Sequence, residues 1–155
     1  MDGKKTDRSH GRALRAERIL YDHIVATSSW RRILIVEDDP QLRELYRNAL
    51  RTAGYVVAAV EDGADALRQI EHSMPALVIL DLALPRVDGR DVHRELKARP
   101  DTRDIPVIVV SGTDMTDVDA KDFAYVCRKP CDPDRLVQAV DQCMRRASGG
   151  AVQLS

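Results

Sequence analysis

The sequence lacks the long apolar run that a membrane protein needs. No stretch of its 155 residues approaches the ~18 apolar residues of a membrane-spanning helix. Lys4 and Lys5 lie near the N-terminus, but no apolar segment follows them, so the pattern of a secretory signal is missing as well. Because export would require such a signal, we expect a cytoplasmic protein with no membrane partner.

Cysteine is scarce, and the three residues of this type all lie late in the sequence. Cys127 falls on a predicted strand and Cys143 on a predicted helix, while Cys131 lies between them. Cys127 and Cys131 have no histidine nearby in the sequence, so they do not match a zinc site. We interpret all three as separate buried thiols, which fits a reducing compartment.

A strong net charge is also missing, because the formal charge is −1 at pH 7. No global field therefore argues for binding to nucleic acid or to a membrane surface. The distribution is uneven, with eight basic and four acidic residues in positions 1–32. We divide the chain into a basic leader at 1–30, disordered or with an accessory helix over 11–26, a domain at 31–147 and a flexible tail at 148–155.

Between residues 32 and 147, short apolar runs alternate with amphipathic segments. The runs predict strands at 32–37, 55–60, 76–81, 106–111 and 124–128. Helix starts are indicated by capping acids and prolines at Asp39-Pro40, Asp62 and Asp132-Pro133, and another helix is predicted over 89–98. This alternation predicts an α/β fold of the flavodoxin-like (βα)5 type. Its doubly wound parallel sheet has the strand order 2-1-3-4-5.

Asp81 is the most informative residue, because it closes the apolar run at 76–80, which is typical of a buried parallel strand. Polar residues end the other strands, namely Glu37, Asp38 and Asp39 on the first, Ser111 on the fourth and Lys129 on the fifth. Since the carboxyl ends of parallel strands share one edge of the sheet, we expect these groups to converge. Clustered carboxylates repel one another unless a cation joins them, and hard oxygen ligands suit Mg²⁺. The implied chemistry is phosphoryl transfer to Asp81.

Four motifs occur in order along residues 32–147, about three-quarters of the chain. They are Ile-Val-Glu-Asp-Asp after strand one, Leu-Asp-Leu-Ala-Leu-Pro-Arg-Val-Asp-Gly around Asp81, Ser111 after strand four and Lys129-Pro130 after strand five. Each motif is weak alone, but the ordered set is specific. On these motifs, the region resembles the receiver domain of two-component response regulators.

The resemblance implies a phosphorylation-dependent switch rather than an enzyme. Asp81 would take a phosphoryl group from a sensor histidine kinase or a phosphotransfer protein, and Ser111 and Lys129 would contact that group. The implied Mg²⁺ ligands are Asp38, Asp81, the backbone carbonyl of Ala83 and, through metal-bound water, Glu37. The signal would pass to a downstream protein through protein–protein contacts.

Three positions depart from the usual receiver pattern. Val126 stands where the family usually has an aromatic residue, and Tyr125 lies one residue earlier, on the opposite strand face, which argues against a rotating Ser–Tyr switch. The interval from Ser111 to Lys129 is about one helical turn shorter than usual in the family. We therefore expect a shortened helix between the fourth and fifth strands. Ala83 has no side chain to orient a hydrolytic water, so we expect slow autodephosphorylation.

The same residues argue against several alternative functions. A hydrolase with an aspartate nucleophile of the haloacid dehalogenase type needs an acid where Ala83 stands, and no phosphate-binding Gly-x-x-x-x-Gly-Lys-Ser/Thr motif is present. The acids after strand one would repel a flavin phosphate. The leader and the tail are too short for an appended DNA-binding domain, so we expect a stand-alone receiver or a piece of a longer polypeptide. A degenerate receiver that acts as a constitutive interaction module stays open.

Overall fold

The computed structural model describes residues 14–20, 31–112, 115 and 119–149. Five strands alternate with four helices, which are β1 (Arg32–Val36), α1 (Pro40–Thr52), β2 (Val56–Val60), α2 (Gly63–His72), β3 (Leu77–Leu80), α3 (Gly89–Ala98), β4 (Val107–Ser111), β5 (Tyr125–Arg128) and α4 (Pro133–Gly149). None of the helices in this part of the chain has the length and apolar composition to span a bilayer.

The strands form one parallel sheet in the order β2-β1-β3-β4-β5. The predicted fold class and strand order are therefore confirmed. Val36 of β1 pairs with Leu80 of β3, so the next residues, Glu37 and Asp81, leave the sheet side by side. This register brings together two acids that lie far apart in sequence.

Each face of the sheet is covered by its own pair of helices. Side chains alternate along a strand, so Ile33 and Ile35 of β1 face one core while Leu34 and Val36 face the other. The first core is closed by residues of α1 and α4, namely Tyr46, Leu50, Leu136 and Val140. The second is closed by residues of α2 and α3, namely Ala66, Ile70, Val92 and Leu96. Burial on both faces explains the near-continuous apolar runs of the central strands.

The helix ends follow from local chemistry that the sequence already indicated. The Asp39 carboxylate accepts hydrogen bonds from the backbone N–H groups of Gln41 (2.8 Å) and Leu42 (3.1 Å) at the start of α1. Gly54, two residues after α1, has a φ of 95°, which glycine adopts without steric cost. These caps fix where the chain leaves and enters the sheet.

The connection between β4 and β5 contains a 3-10 turn, Ala120–Asp122, among its described residues. We predicted a shortened helix in this connection; because residues 113, 114 and 116–118 lie outside the described part, the length of that helix stays a prediction. Residues 1–10 and 150–155, which we predicted to be flexible, also lie outside it. Residues 14–20 of the leader form an exposed helical segment, and α4 continues to Gly149, two residues beyond the predicted domain end.

The interpretation of three separate thiols was wrong. Cys127 and Cys131 form a disulfide bond, with their Cα atoms 5.9 Å apart, while Cys143 is a free, buried thiol. The reason is the tight connection between β5 and α4, which folds back within four residues. Sequence spacing alone does not reveal such a return of the chain.

Candidate functional site

Hydrogen bonds of both its backbone and its side chain hold Asp81 at the carboxyl end of β3. Its N–H donates to the carbonyl of Val36 at 3.0 Å, and its Oδ1 accepts from the N–H of Ala83 at 3.0 Å. The residue is 4% exposed. Gly89, the first residue of α3, lies so close that an added Cβ would be 2.2 Å from the Asp81 carbonyl oxygen. The helix therefore packs directly on the backbone of the acid.

Glu37 is buried beside Asp81, whereas Asp38 faces solvent. The N–H of Glu37 continues the sheet by donating to the carbonyl of Val60 at 3.1 Å, and its Oε1 accepts from the N–H of Asp39 at 3.1 Å. The Arg43 guanidinium donates to the carbonyls of Glu37 (2.8 Å) and Asp38 (3.2 Å). α1 thus anchors the acidic loop from which it starts.

Lys129 joins the two buried acids. Its Nζ lies 2.8 Å from Oδ2 of Asp81 and 2.8 Å from Oε2 of Glu37. Its backbone N–H donates to the carbonyl of Ser111 at 3.1 Å, and the Lys129–Pro130 peptide bond is cis. Ser111 itself is buried at the end of β4. The ends of β1, β3, β4 and β5 therefore meet in one place.

The electrostatics of this cluster favour an additional cation. Burial raises the pKa of Glu37, the hydrogen bond from Lys129 lowers it in part, and the negative charge of Asp81 raises it further. Burial alone would lower the pKa of Lys129, but its hydrogen bonds to Asp81 and Glu37 outweigh this and raise it.

Carboxylate oxygens of Glu37, Asp38 and Asp81 lie within 4.8 Å of one another. The ammonium of Lys129 contacts two of these acids, Asp81 and Glu37, so the three carboxylates and this ammonium together carry two excess negative charges if all are ionised. Hard oxygen donors with excess negative charge fit a divalent cation such as Mg²⁺.

The structure brings together most of the residues that the sequence predicted as a site. Glu37, Asp38, Asp81, Ser111 and Lys129 lie at one edge of the sheet, and the exposed residue Ala83 is hydrogen-bonded to Asp81 through its N–H.

Sequence reasoning missed two supporting residues. Arg43 holds the carbonyls of the acidic loop, and Arg86 has a φ of 66° and pairs with the buried carboxylate of Asp62. Neither was given a role from the sequence, although Arg86 lies within the motif around Asp81.

Tyr125 and Val126 point to opposite faces of β5, as their spacing predicted. Tyr125 packs against the core under α1 and α4, and Val126 packs against the core under α2 and α3. Val126 pairs in register with Val109 of β4, two residues before Ser111. An aliphatic side chain therefore fills the place that the receiver pattern gives to an aromatic ring.

Comparison with known proteins agrees with this geometry. Residues 33–141 match the family model of the response regulator receiver domain. The chain is 38% identical over 122 residues to the DNA-binding response regulator MtrA of Mycolicibacterium smegmatis, which covers 74% of this chain and 51% of MtrA. The chain spans about half the length of the curated relatives it matches.

Solved structures show the same arrangement of strands and helices. A signal receiver domain assigned to a Luxo repressor protein of Vibrio parahaemolyticus matches with a TM-score of 0.72 and 32% identity, over 81% of this chain and 98% of that one. The response regulator TrrA of Thermotoga maritima, solved in complex with Mg²⁺ and BeF, matches with a TM-score of 0.66 and 28% identity, over 73% and 98%.

Proposed function

The chain belongs to the response regulator receiver family, and on that premise we propose that Asp81 is its phosphoacceptor. The observation that supports this most directly is the bridge of Lys129 between two buried acids, Asp81 and Glu37. In the proposed reaction, a carboxylate oxygen of Asp81 attacks the phosphorus of a phosphohistidine on a sensor kinase or phosphotransfer protein. The phosphorus–nitrogen bond breaks, its electrons stay on the imidazole, and an acyl phosphate forms on Asp81.

Lys129 and Ser111 act on the incoming phosphoryl group in this proposal. The ammonium of Lys129 already lies 2.8 Å from Asp81, so it offsets charge that develops on the phosphoryl oxygens without moving far. The Ser111 hydroxyl hydrogen-bonds a phosphoryl oxygen. Glu37 keeps Lys129 oriented through its own contact of 2.8 Å. A degenerate receiver is not supported, because the acids and the lysine are all present and meet.

The residues at this edge of the sheet suit Mg²⁺ as the cofactor. Asp38 and Asp81 would supply carboxylate oxygens, Ala83 its backbone carbonyl, and Glu37 would act through metal-bound water. When bound, the cation would neutralise charge on the acceptor carboxylate and on the phosphoryl oxygens. Exposure of Asp38 and Ala83 leaves the cluster open to solvent on one side, which gives both an ion and a phosphodonor access.

Phosphorylation is tested with acetyl phosphate and Mg²⁺ on the purified chain, followed by intact mass. We expect one phosphoryl adduct in the wild-type protein and none in Asp81→Asn, because an amide cannot form the acyl phosphate. Asp101→Asn, which changes an exposed acid far from the cluster, is the matched control and should be labelled normally. An adduct of equal yield in Asp81→Asn would refute the assignment.

We propose a long-lived phosphoryl group, because the position two residues after Asp81 carries only the methyl group of Ala83. The adduct should persist for hours, since no side chain there orients an attacking water. Ala83→Asn adds a polar side chain at this exposed position and should shorten the lifetime about tenfold, through better positioning of the water.

The lifetime is followed by the decay of the adduct after the phosphodonor is removed. Ala98→Asn, at an exposed position of α3, is the control and should leave it unchanged. Decay within a minute in the wild-type protein would contradict the proposal.

We propose that the receiver passes its signal through protein–protein contacts in the cytoplasm. The sensor kinase would reach Asp81 from the exposed side of the cluster, where Asp38 and Ala83 lie. Because an aliphatic residue, Val126, stands at the position that is usually aromatic, opposite Val109 of β4, the response to phosphorylation would not depend on the rotation of an aromatic ring.

A further inference from the structure

The disulfide bond between Cys127 and Cys131 encloses the residue that bridges the site. The two cysteines are four residues apart and lie immediately around Arg128, Lys129 and Pro130. Cys127 is 5% exposed and Cys131 is 6% exposed, so both ends of the bond are fixed in the protein interior. The loop between them is at the surface, because Arg128 and Pro130 are exposed.

Both ends of this loop are packed, whereas its middle carries the functional group. Cys127 and Cys131 belong to the core under α1 and α4, where they pack with Tyr46 and Leu136. Lys129 projects from the loop to Asp81, with Nζ 2.8 Å from Oδ2. The disulfide and the Lys129–Asp81 contact therefore constrain the same short segment from opposite sides.

Reduction of the bond must change the shape of this segment. Two thiols require more room than two bonded sulfur atoms, because unbonded sulfurs stay at van der Waals separation. Cys127 and Cys131 belong to a buried core, and because protein interiors are close-packed, we expect little free volume there to take up that change. We therefore expect the displacement to pass to the exposed part of the loop and to move Lys129.

We propose that Cys127 and Cys131 are a reversible dithiol–disulfide modification site that controls the position of Lys129, and thereby the rate of phosphoryl acceptance at Asp81. The proposal rests on the proposed function for its effect on phosphorylation, but the movement of Lys129 can be measured separately. The disulfide form is the efficient acceptor, because it holds the ammonium at the acid that receives the phosphoryl group.

The oxidant is a low-molecular-weight disulfide such as oxidised glutathione. One cysteine thiolate attacks a sulfur of glutathione disulfide, forms a mixed disulfide and releases one glutathione thiolate. The second cysteine then attacks the mixed disulfide, which closes the Cys127–Cys131 bond and releases the second glutathione. Two electrons pass from the cysteines to the oxidant, and the two cysteine protons leave to the two glutathione thiols.

The redox state is set with oxidised glutathione or with dithiothreitol and is checked by thiol alkylation of the denatured chain. We expect one alkylated cysteine, Cys143, in the oxidised protein and three in the reduced protein. Phosphorylation by acetyl phosphate and Mg²⁺ should be about threefold or more slower after reduction, because a small displacement of an electrostatic group slows the reaction.

A second readout follows Lys129 without any phosphodonor. Acylation of its amine by a soluble reagent, mapped by peptide mass, should be about threefold faster in the reduced protein, because its contacts with Asp81 and Glu37 loosen. Lys121, which is exposed on the 3-10 turn, is the internal reference and should react equally in both states. If neither redox state is phosphorylated, the proposed function fails, while this measurement still decides the redox proposal.

Matched variants separate the disulfide from the remaining thiol. Cys127→Ala with Cys131→Ala should remove the redox response and leave Lys129 as reactive as in the reduced wild-type protein. Cys143→Ala should retain the full response, because Cys143 takes no part in the bond. Equal Lys129 reactivity in the verified oxidised and reduced proteins would overturn the proposal, as would a response that survives in the double variant.

Discussion

At the carboxyl end of the sheet, two buried acids share one cation, whereas at the amino end one hydroxyl group pairs with one carboxylate. Glu37 and Asp81 lie side by side and share one lysine, Lys129. At the opposite end, the hydroxyl of Tyr55, the residue before β2, donates to the carboxylate of Asp141 on α4. The same sheet thus carries an electrostatically unfavourable cluster at one end and a satisfied contact at the other.

The pKa shifts at the two ends have different consequences for the stability of the fold at neutral pH. Burial raises the pKa of Glu37 above its ordinary value of 4.5, so its ionised form destabilises the fold at neutral pH. Burial and the hydrogen bond to Asp141 raise the pKa of Tyr55 to about 12, so its neutral, bonded form is stable across the physiological range. The comparison supports the proposal that the carboxyl end binds a cation and a phosphoryl group, at a cost in stability.

The two ends also differ in how closely the backbone is packed, and two glycine substitutions, one at each end, should show the largest effects. Gly89→Ala should lower the free energy of unfolding by about 3 kcal/mol or more, since the new Cβ would be 2.2 Å from the Asp81 carbonyl oxygen and backbone must shift. Gly54→Ala at the amino end meets only the end of the Arg31 side chain at 3.3 Å, and its cost should be about 1–2 kcal/mol from the positive φ of 95°.

Urea unfolding of both variants measures the two effects. Phosphorylation of Gly89→Ala should also slow, because the displaced backbone carries Asp81, whereas Gly54→Ala should be phosphorylated normally. Equal losses of stability, with equal phosphorylation, would show that the carboxyl end is no more tightly constrained than the amino end.

The meeting of Asp81, Glu37 and Lys129 could be predicted from sequence, since parallel strands all present their carboxyl ends at one edge. Alternation along β5 likewise predicted that Tyr125 and Val126 would face opposite cores. These inferences succeed because strand period and sheet topology are regular.

The parts that the sequence did not reveal depend on irregular connections. The Cys127–Cys131 bond requires the chain to return on itself between β5 and α4, and no periodic pattern describes that return. The contact of Arg43 with the carbonyls of Glu37 and Asp38 depends on the direction of one long side chain. Arg86 has a positive φ, and its guanidinium pairs with Asp62, and neither feature follows from a periodic pattern.

Glu37→Gln tests whether the carboxyl end is arranged for a cation. In EDTA at neutral pH the variant should be more stable than the wild-type protein, because Gln resembles the protonated form that burial favours. In the wild-type protein, protonation of Glu37 contributes stability that is fully present below pH 4.5 and is lost as pH rises through the folded pKa. The affinity for Mg²⁺ should fall about tenfold, since Glu37 is the residue proposed to act on the metal through bound water.

Thermal unfolding with and without Mg²⁺ measures both effects of Glu37→Gln. Glu44→Gln is the matched control, because Glu44 is a solvent-exposed acid on α1, and neither its stability nor its Mg²⁺ response should change. A loss of stability in EDTA, or an unchanged Mg²⁺ response, would contradict the view that Glu37 is kept for binding rather than for folding.

Tyr55→Phe tests the satisfied contact at the amino end and should have the smallest effect. At neutral pH the loss of the hydrogen bond to Asp141 should cost about 1 kcal/mol of unfolding free energy. The pKa of Tyr55 is raised from 10.0 to about 12, so its contribution is fully present below pH 10 and is lost as pH rises through about 12. Urea unfolding should therefore show the difference between the wild-type protein and Tyr55→Phe shrinking across this window. Asp141→Asn retains an acceptor without the charge and should weaken that pH dependence, whereas a difference constant with pH would show that the phenol titrates as it does in the unfolded chain.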